Sequence, residues 1–224
     1  MGGVVKKQVA VVLSGCGFLD GSEIHEAVLA LYFLDKKGFQ VHCFAPNMPM
    51  HHVVNHITQQ EMPEQRNVLV EAARIARGNI SDLKTLQMHT MDALVLPGGY
   101  GAAKNLSDFA FQSSACTVHP EVQRVVCEAV KQHKPVLAIC VAPAVVAKAL
   151  QNAGVHASLT LGDASNMPPL TAMQHTAHPC DVDNICVDET HRIVCTPAYM
   201  HHTSIAHVAL GIEQAVEKLI HWVF

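Results

Sequence analysis

The sequence has no C-x-x-C, no run of lysines and arginines, and no apolar stretch of membrane-spanning length. The first absence, with eight cysteines scattered at 16, 43, 116, 127, 140, 180, 186 and 195, argues against a disulfide scaffold and for a reducing compartment. Several of them sit inside apolar strand-like runs such as Val41-His42-Cys43-Phe44 and Ile193-Val194-Cys195-Thr196. The second absence, together with a net charge of −4, argues against nucleic acid and anionic membranes as partners. The third, with no signal-peptide pattern, leaves no expectation of membrane insertion or secretion. Lys6 stands where a myristoylation signal needs Ser or Thr, so no lipid anchor is expected. The expected compartment is the cytoplasm, with the mitochondrial matrix as the alternative if a presequence has been removed. Sixteen histidines invite a metal reading, but none forms an H-x-x-x-H joined to a carboxylate or a zinc-type Cys/His spacing. The neighbours His51-His52 and His201-His202 point in different directions on a strand or a helix, and neither a metal nor a cofactor is expected.

What is present is enough apolar material for one sizeable core: half of 224 residues, with a charged fraction of 15%. A single domain over 1–224 is expected, since no repeat, linker or low-complexity tract interrupts the chain. Short apolar runs at Gln8–Ser14, Val41–Ala45, Asp92–Leu96 and Val136–Ile139 read as strands, with a further one at Ala157–Leu161. Asn184–Asp188 and Arg192–Thr196 read as a hairpin. Asp20 and Glu23 resemble a capping box ahead of a helix whose stripe is Ile24, Ala27, Val28, Leu31 and Leu34, stopped by Gly38. Helical spacing recurs over Asn67–Ala76, Pro120–His133, Pro143–Leu150 and from Ile205 to Val223, whereas Met48–Pro63 reads as a loop or short elements and Gly162–Pro179 as a loop or insertion. Strands alternating with helices predict a three-layer α/β sandwich with a mainly parallel sheet.

Ligands in such sheets sit beyond the carboxyl ends of the strands, so the loops Ser14–Glu26, Pro97–Leu106 and Cys140–Pro143 should face one another. Cys140 ends a buried strand and precedes a helix, which is the plan of a nucleophile elbow. The helix N-terminus would then favour its thiolate. The alternative is a small inert core cysteine. Pro97-Gly98-Gly99-Tyr100-Gly101 makes a tight turn that brings N–H groups toward a ligand, and no G-K-[ST] follows to make it a phosphate loop. The N–H groups of Gly99 and Val141 are placed as oxyanion donors. Glu26 lies off the Ile24/Ala27/Leu31 stripe and could share a proton with the thiol; a solvated helix carboxylate is the alternative. Glu23 reads as a capping residue.

The blocks Leu13-Ser14-Gly15-Cys16-Gly17, Asp20-Gly21-Ser22-Glu23-Ile24-His25-Glu26-Ala27, Arg66-Asn67-Val68-Leu69, Pro97-Gly98-Gly99-Tyr100-Gly101-Ala102-Ala103-Lys104-Asn105-Leu106-Ser107 and Thr196-Pro197-Ala198-Tyr199-Met200 resemble the ElbB family. These are the enhancing-lycopene-biosynthesis proteins of the PfpI-type, class I glutamine amidotransferase-like superfamily. The resemblance spans nearly the whole chain and implies a flavodoxin-like fold. It also implies that Cys140 is the elbow cysteine, Glu26 its paired acid and Gly99 the oxyanion turn, in a homodimer. The chain departs from the superfamily pattern where Val141 replaces a histidine after the cysteine. Its His119-Pro120-Glu121 precedes the cysteine as a helix start, so glutamine hydrolysis is not expected. A histidine from Gln174–Pro179, or His201 or His202, is left as a candidate to complete the site. The implied activity is a cofactor-free, glyoxalase III-like conversion of small 2-oxoaldehydes such as methylglyoxal to 2-hydroxy acids. The alternative is a weakly catalytic or non-catalytic stress protein that senses oxidation through Cys140.

Overall fold

A computed structural model describes residues 6–224, and of the opening stretch on which the absence of a lipid signal was judged, all but Lys6 lies outside the described residues. The first half runs β1 (Gln8–Val12), α1 (Ile24–Lys36), β2 (Gln40–Ala45), a small hairpin of β3 (Val53–Val54) and β4 (Glu61–Met62), α2 (Val68–Ile75), β5 (Ile80–Asp82) and β6 (Ala93–Leu96). Short helices α3 (Tyr100–Lys104) and α4 (Phe109–Gln112) lead to α5 (Pro120–Lys131), β7 (Val136–Ile139) and α6 (Ala142–Asn152). The chain closes with β8 (Ser158–Leu159), α7 (Pro168–Ala172), β9 (Thr176–Ala177), the pair β10 (Cys186–Asp188) and β11 (Ile193–Thr196), and α8 (Ile205–Val223).

Seven strands form one sheet in the order β10-β11-β7-β6-β1-β2-β5, parallel throughout except for the antiparallel β10–β11 edge. The central strands β6 and β7 are apolar and buried at every position, and β1 at every position after Gln8, because both faces are covered. Alternate side chains go opposite ways: Val9, Val11, Leu137 and Ile139 join the core built with α1, α2 and α8. Ala10, Val12, Val136 and Ala138 join the one built with α5 and α6. This is the expected three-layer, flavodoxin-like sandwich. All eight cysteines are free, and among the described residues no helix is long and apolar enough to cross a membrane.

Three expectations need correction. Asp20 does not cap α1; Glu23 does, accepting the Glu26 N–H at 2.7 Å, while Asp20 accepts from Val54 N–H at 2.8 Å and ties down the small hairpin. The buried face of α1 is Glu26, Ala27, Ala30, Phe33 and Leu34, with Ile24 and Val28 exposed. Two alanines at the centre of that face let the helix lie close to its neighbours, and this rotation carries Glu26 inward. The Ala157–Leu161 run contributes β8, which lies outside the main sheet and pairs with β9 from the stretch read as a loop. The sheet edge beyond β11 is already occupied by β10. The three-residue β5, paired with β2 at the other edge, gave too short a pattern to read.

The strand order places β7, β6 and β1 side by side, so the loops after them meet. Glu23 N–H donates to the Gly98 carbonyl at 3.0 Å, Gly101 N–H to the Gly21 carbonyl at 2.8 Å, and Tyr100 N–H to the Phe18 carbonyl at 2.7 Å. A Cβ on Gly101 would lie 2.5 Å from the Gly21 backbone, so only glycine permits that approach. The buried Asn105 amide donates to the carbonyls of Ser14 and Asp20 at 2.9 Å, and its oxygen accepts from His51 N–H at 2.9 Å. Asn105→Ala strands two buried carbonyls and the His51 N–H, and a loss of about 3 kcal/mol in urea-unfolding free energy is expected. A loss below about 0.5 kcal/mol would mean that these loops do not depend on the amide.

Candidate active site

Cys140 follows directly on β7 and has φ +61°, in the left-handed region that non-glycine side chains avoid. Its N–H donates to the Thr196 carbonyl of the neighbouring strand end at 2.9 Å, which holds the turn in place. Val141 caps α6 and Pro143 lies in the first helical turn, where its missing N–H costs nothing. The sulfur-bearing turn is therefore a nucleophile elbow at the carboxyl edge of the sheet. Cys140 is largely buried and lines a cavity of about 390 Å³ whose walls include Phe18, Tyr100, Phe109, Val141, Tyr199 and Met200. No Lys, Arg or His lines it.

Glu26 is fully buried and hydrogen-bonded to Cys140. Its Oε2 accepts from Gly98 N–H at 3.0 Å and its Oε1 from Tyr199 N–H at 3.4 Å. Burial, reinforced by the Glu23 charge, pushes the Glu26 carboxyl from its ordinary 4.5 up to about 8, against those hydrogen bonds. Burial and Glu26 likewise push the Cys140 thiol well up, against the opposing effect of the Gly99 and Val141 N–H groups. The expectation of a resting thiolate is thus corrected. With an acid in contact and no cation lining the cavity, the pair keeps its protons at neutral pH. The sulfur becomes nucleophilic as its proton moves on, in the manner of a coupled acid–thiol pair.

All four sequence-derived residues, Cys140, Glu26, Gly99 and Val141, converge here. Gly98 was not singled out on its own, yet it makes the contact possible: a Cβ there would lie 2.4 Å from Cys140 Cβ and 2.6 Å from Glu26 Oε2. The candidate histidines do not line the cavity. His175 is buried, its Nδ1 accepting from Ala157 N–H at 3.1 Å and its Nε2 lying 2.8 Å from the Ala147 carbonyl. His201 lies 2.9 Å from the Cys180 carbonyl, and His178 and His202 are exposed. His119 caps α5 by accepting Glu121 N–H, as expected. Tyr199 was missed as a wall of the site. Its signal was its place in the Thr196–Met200 block, just past the end of a buried strand. Among the described residues no group of three or more His, Cys, Asp and Glu is placed to hold a metal ion.

A model of the DJ-1/PfpI family matches residues 10–159. The chain is 40% identical over 222 residues to the mitochondrial ES1 protein homolog of Rattus norvegicus, covering 96% of this chain and 84% of that one. It is also 40% identical over 220 residues to the mitochondrial glutamine amidotransferase-like class 1 domain-containing protein 3 of Homo sapiens, covering 95% and 82%. Among solved structures it is similar to an isoprenoid biosynthesis protein with amidotransferase-like domain from Ehrlichia chaffeensis. The identity is 37% and the TM-score 0.92, over 97% of this chain and 100% of that one.

Between about pH 4.5 and 8 the native Glu26 holds a proton that the unfolded chain has released. This group therefore lowers stability as pH rises, by ~1.4 kcal/mol per pH unit in that window. Glu26→Gln removes the slope. Urea unfolding at both ends of the window should show wild type losing ground to the variant at the alkaline end, and parallel curves would contradict a buried, protonated acid.

Proposed function

The chain belongs to the DJ-1/PfpI family, within the class I glutamine amidotransferase-like superfamily, and from that premise we propose that Cys140 and Glu26 convert small 2-oxoaldehydes to 2-hydroxy acids without a cofactor. The observation that carries this reading is the buried acid–thiol contact facing a cavity with no cationic side chain in its lining. The reactive form is the fraction in which Glu26 has released its proton: that carboxylate takes the thiol proton as the sulfur adds to the aldehyde carbon and hands it to the second carbonyl oxygen. It then moves a proton from that carbon to the neighbouring one through an enediol. Water cleaves the resulting thioester, returning the thiol and releasing the 2-hydroxy acid, so that one oxoaldehyde and one water give one product. A cavity with no cationic side chain suits a neutral carbonyl compound better than a phosphorylated or carboxylated one. The absence of a histidine from its lining supports the view that glutamine hydrolysis is not the activity.

The finer likeness to enhancing-lycopene-biosynthesis proteins is supported by the identity to the Ehrlichia chaffeensis isoprenoid biosynthesis protein. The mitochondrial designation of the rat and human relatives supports the mitochondrial alternative over the cytoplasm for this chain. The same reading takes the working form to be a homodimer with no nucleic-acid or membrane partner.

Incubation with methylglyoxal in the absence of glutathione is expected to yield lactate, measured by chromatography. Cys140→Ala should lose at least ~10²-fold in turnover. Turnover that survives this substitution removes the proposal.

A second reading, oxidation sensing, is favoured by the protonated Glu26, which can hydrogen-bond the oxygens of a sulfinate formed by two successive peroxide equivalents. Peptide mass spectrometry after mild peroxide should then find Cys140 oxidised ahead of the other cysteines. Uniform oxidation would count against a sensor.

A further inference from the structure

The N–H groups of Gly99 in the glycine turn and Val141 at the elbow act on the sulfur, so an oxygen developing charge on a bound carbonyl gains from a further donor. Among the side chains lining the cavity, three can donate: Tyr100, Asn166 and Tyr199. The Asn166 amide spends one of its two N–H groups on the Leu161 carbonyl at 3.1 Å. Tyr100 is about half exposed, with Lys104 Nζ 4.7 Å from its ring centre. Tyr199 differs from both. Its backbone N–H holds the Glu26 carboxyl that touches the sulfur, and its hydroxyl lies 2.8 Å from His25 Nδ1, one residue before that glutamate. The residue before it, Ala198, has φ +45°, so the strand ends on either side of the site, at Cys140 and Ala198, both carry the left-handed backbone that non-glycine residues avoid. Burial and the charges of Glu23 and Glu26 raise the Tyr199 phenol, which keeps it a neutral donor.

We propose that the Tyr199 hydroxyl protonates the substrate's carbonyl oxygen as Cys140 adds to the carbonyl carbon, with His25 as the residue that positions and reprotonates it. This rests on the carbonyl-addition reading above. The S–C bond forms as the C=O π pair moves to oxygen, and that oxygen takes the phenol proton. The phenolate takes the Nδ1 proton of His25. The exposed imidazole regains a proton from water at Nε2. Tyr199 and His25 thus supply the proton path for which a histidine within the cavity was sought, and they give the Thr196–Met200 block a role.

The test compares wild type with Tyr199→Phe, Tyr100→Phe, His25→Gln and His25→Leu. Turnover of methylglyoxal is measured alongside protection of Cys140 from iodoacetamide by trimethylacetaldehyde, an aldehyde with no adjacent hydrogen that adds without isomerising. Tyr199→Phe should lower kcat by about 10²-fold with little change in KM. It should also weaken protection about tenfold, while the unprotected alkylation rate stays within about twofold, as it must if the elbow is intact. His25→Gln, which keeps a donor, should retain more kcat than His25→Leu; equal rates overturn the role of His25. Tyr199→Phe within about twofold of wild type in both measurements overturns the proposal, as does a loss confined to Tyr100→Phe. Protection without lactate in the wild type would remove the hydrolytic reading and leave this proposal to be judged on the protection data. Neither protection nor lactate in the wild type removes both.

Discussion

A carboxyl cut off from water and a thiol exposed only on the wall of a cavity that no cation lines are pressed together through the one backbone segment that has no side chain to keep them apart. Gly98 lies against Cys140 and gives its N–H to Glu26, so the same residue creates the proximity and partly compensates the acid. Ionising either group in such a place is unfavourable, and passing one proton between them costs less than losing it to solvent. The chemistry assigned to the site follows from this. The sulfur is held as a thiol until a carbonyl arrives, and the acid beside it can accept, carry and return a proton within one closed space.

The scaffold supplies rigidity where the contact needs it. Cys140 and Ala198 occupy the left-handed region at the carboxyl ends of the adjacent strands β7 and β11, and the Cys140 N–H is tied to Thr196 between them. Strained backbone of this kind persists only where the surroundings over-determine it, and a parallel sheet buried on both faces does so. Glu26 arrives from a third strand's loop by way of a helix whose alanines let it settle close to the core. The close approach of Gly99 and Gly101 to Gly21, that of Gly98 to Cys140, and the amide of Asn105 lock the three loops to one another. The site therefore belongs to no single segment, and a variant that moves any loop moves the pair.

Much of the frame was legible in the order of residues. The long amphipathic helices and the uniformly apolar central strands announce themselves because each buries a regular pattern, and patterns of that length survive any tertiary context. The elbow at Cys140, the glycine turn and the neighbouring acid could likewise be named, since a strand stopping at a cysteine and a turn rich in glycine have few other uses. Short elements escaped: β5, α3 and the pairing of β8 with β9 each carry too few residues for periodicity to speak.

The primary structure by itself determined the α/β layering, the parallel sheet and the short set of residues from which a site had to be built, because burial periodicity and turn chemistry are local properties. Only the folded arrangement decided which way α1 turns, and so whether Glu26 meets water or sulfur. It also decided that both groups hold their protons, and that a tyrosine from the far end of the chain, not a histidine, stands beside them. Protonation and proximity depend on what lies across the cavity, and nothing within a few residues of Cys140 or Glu26 encodes that neighbour.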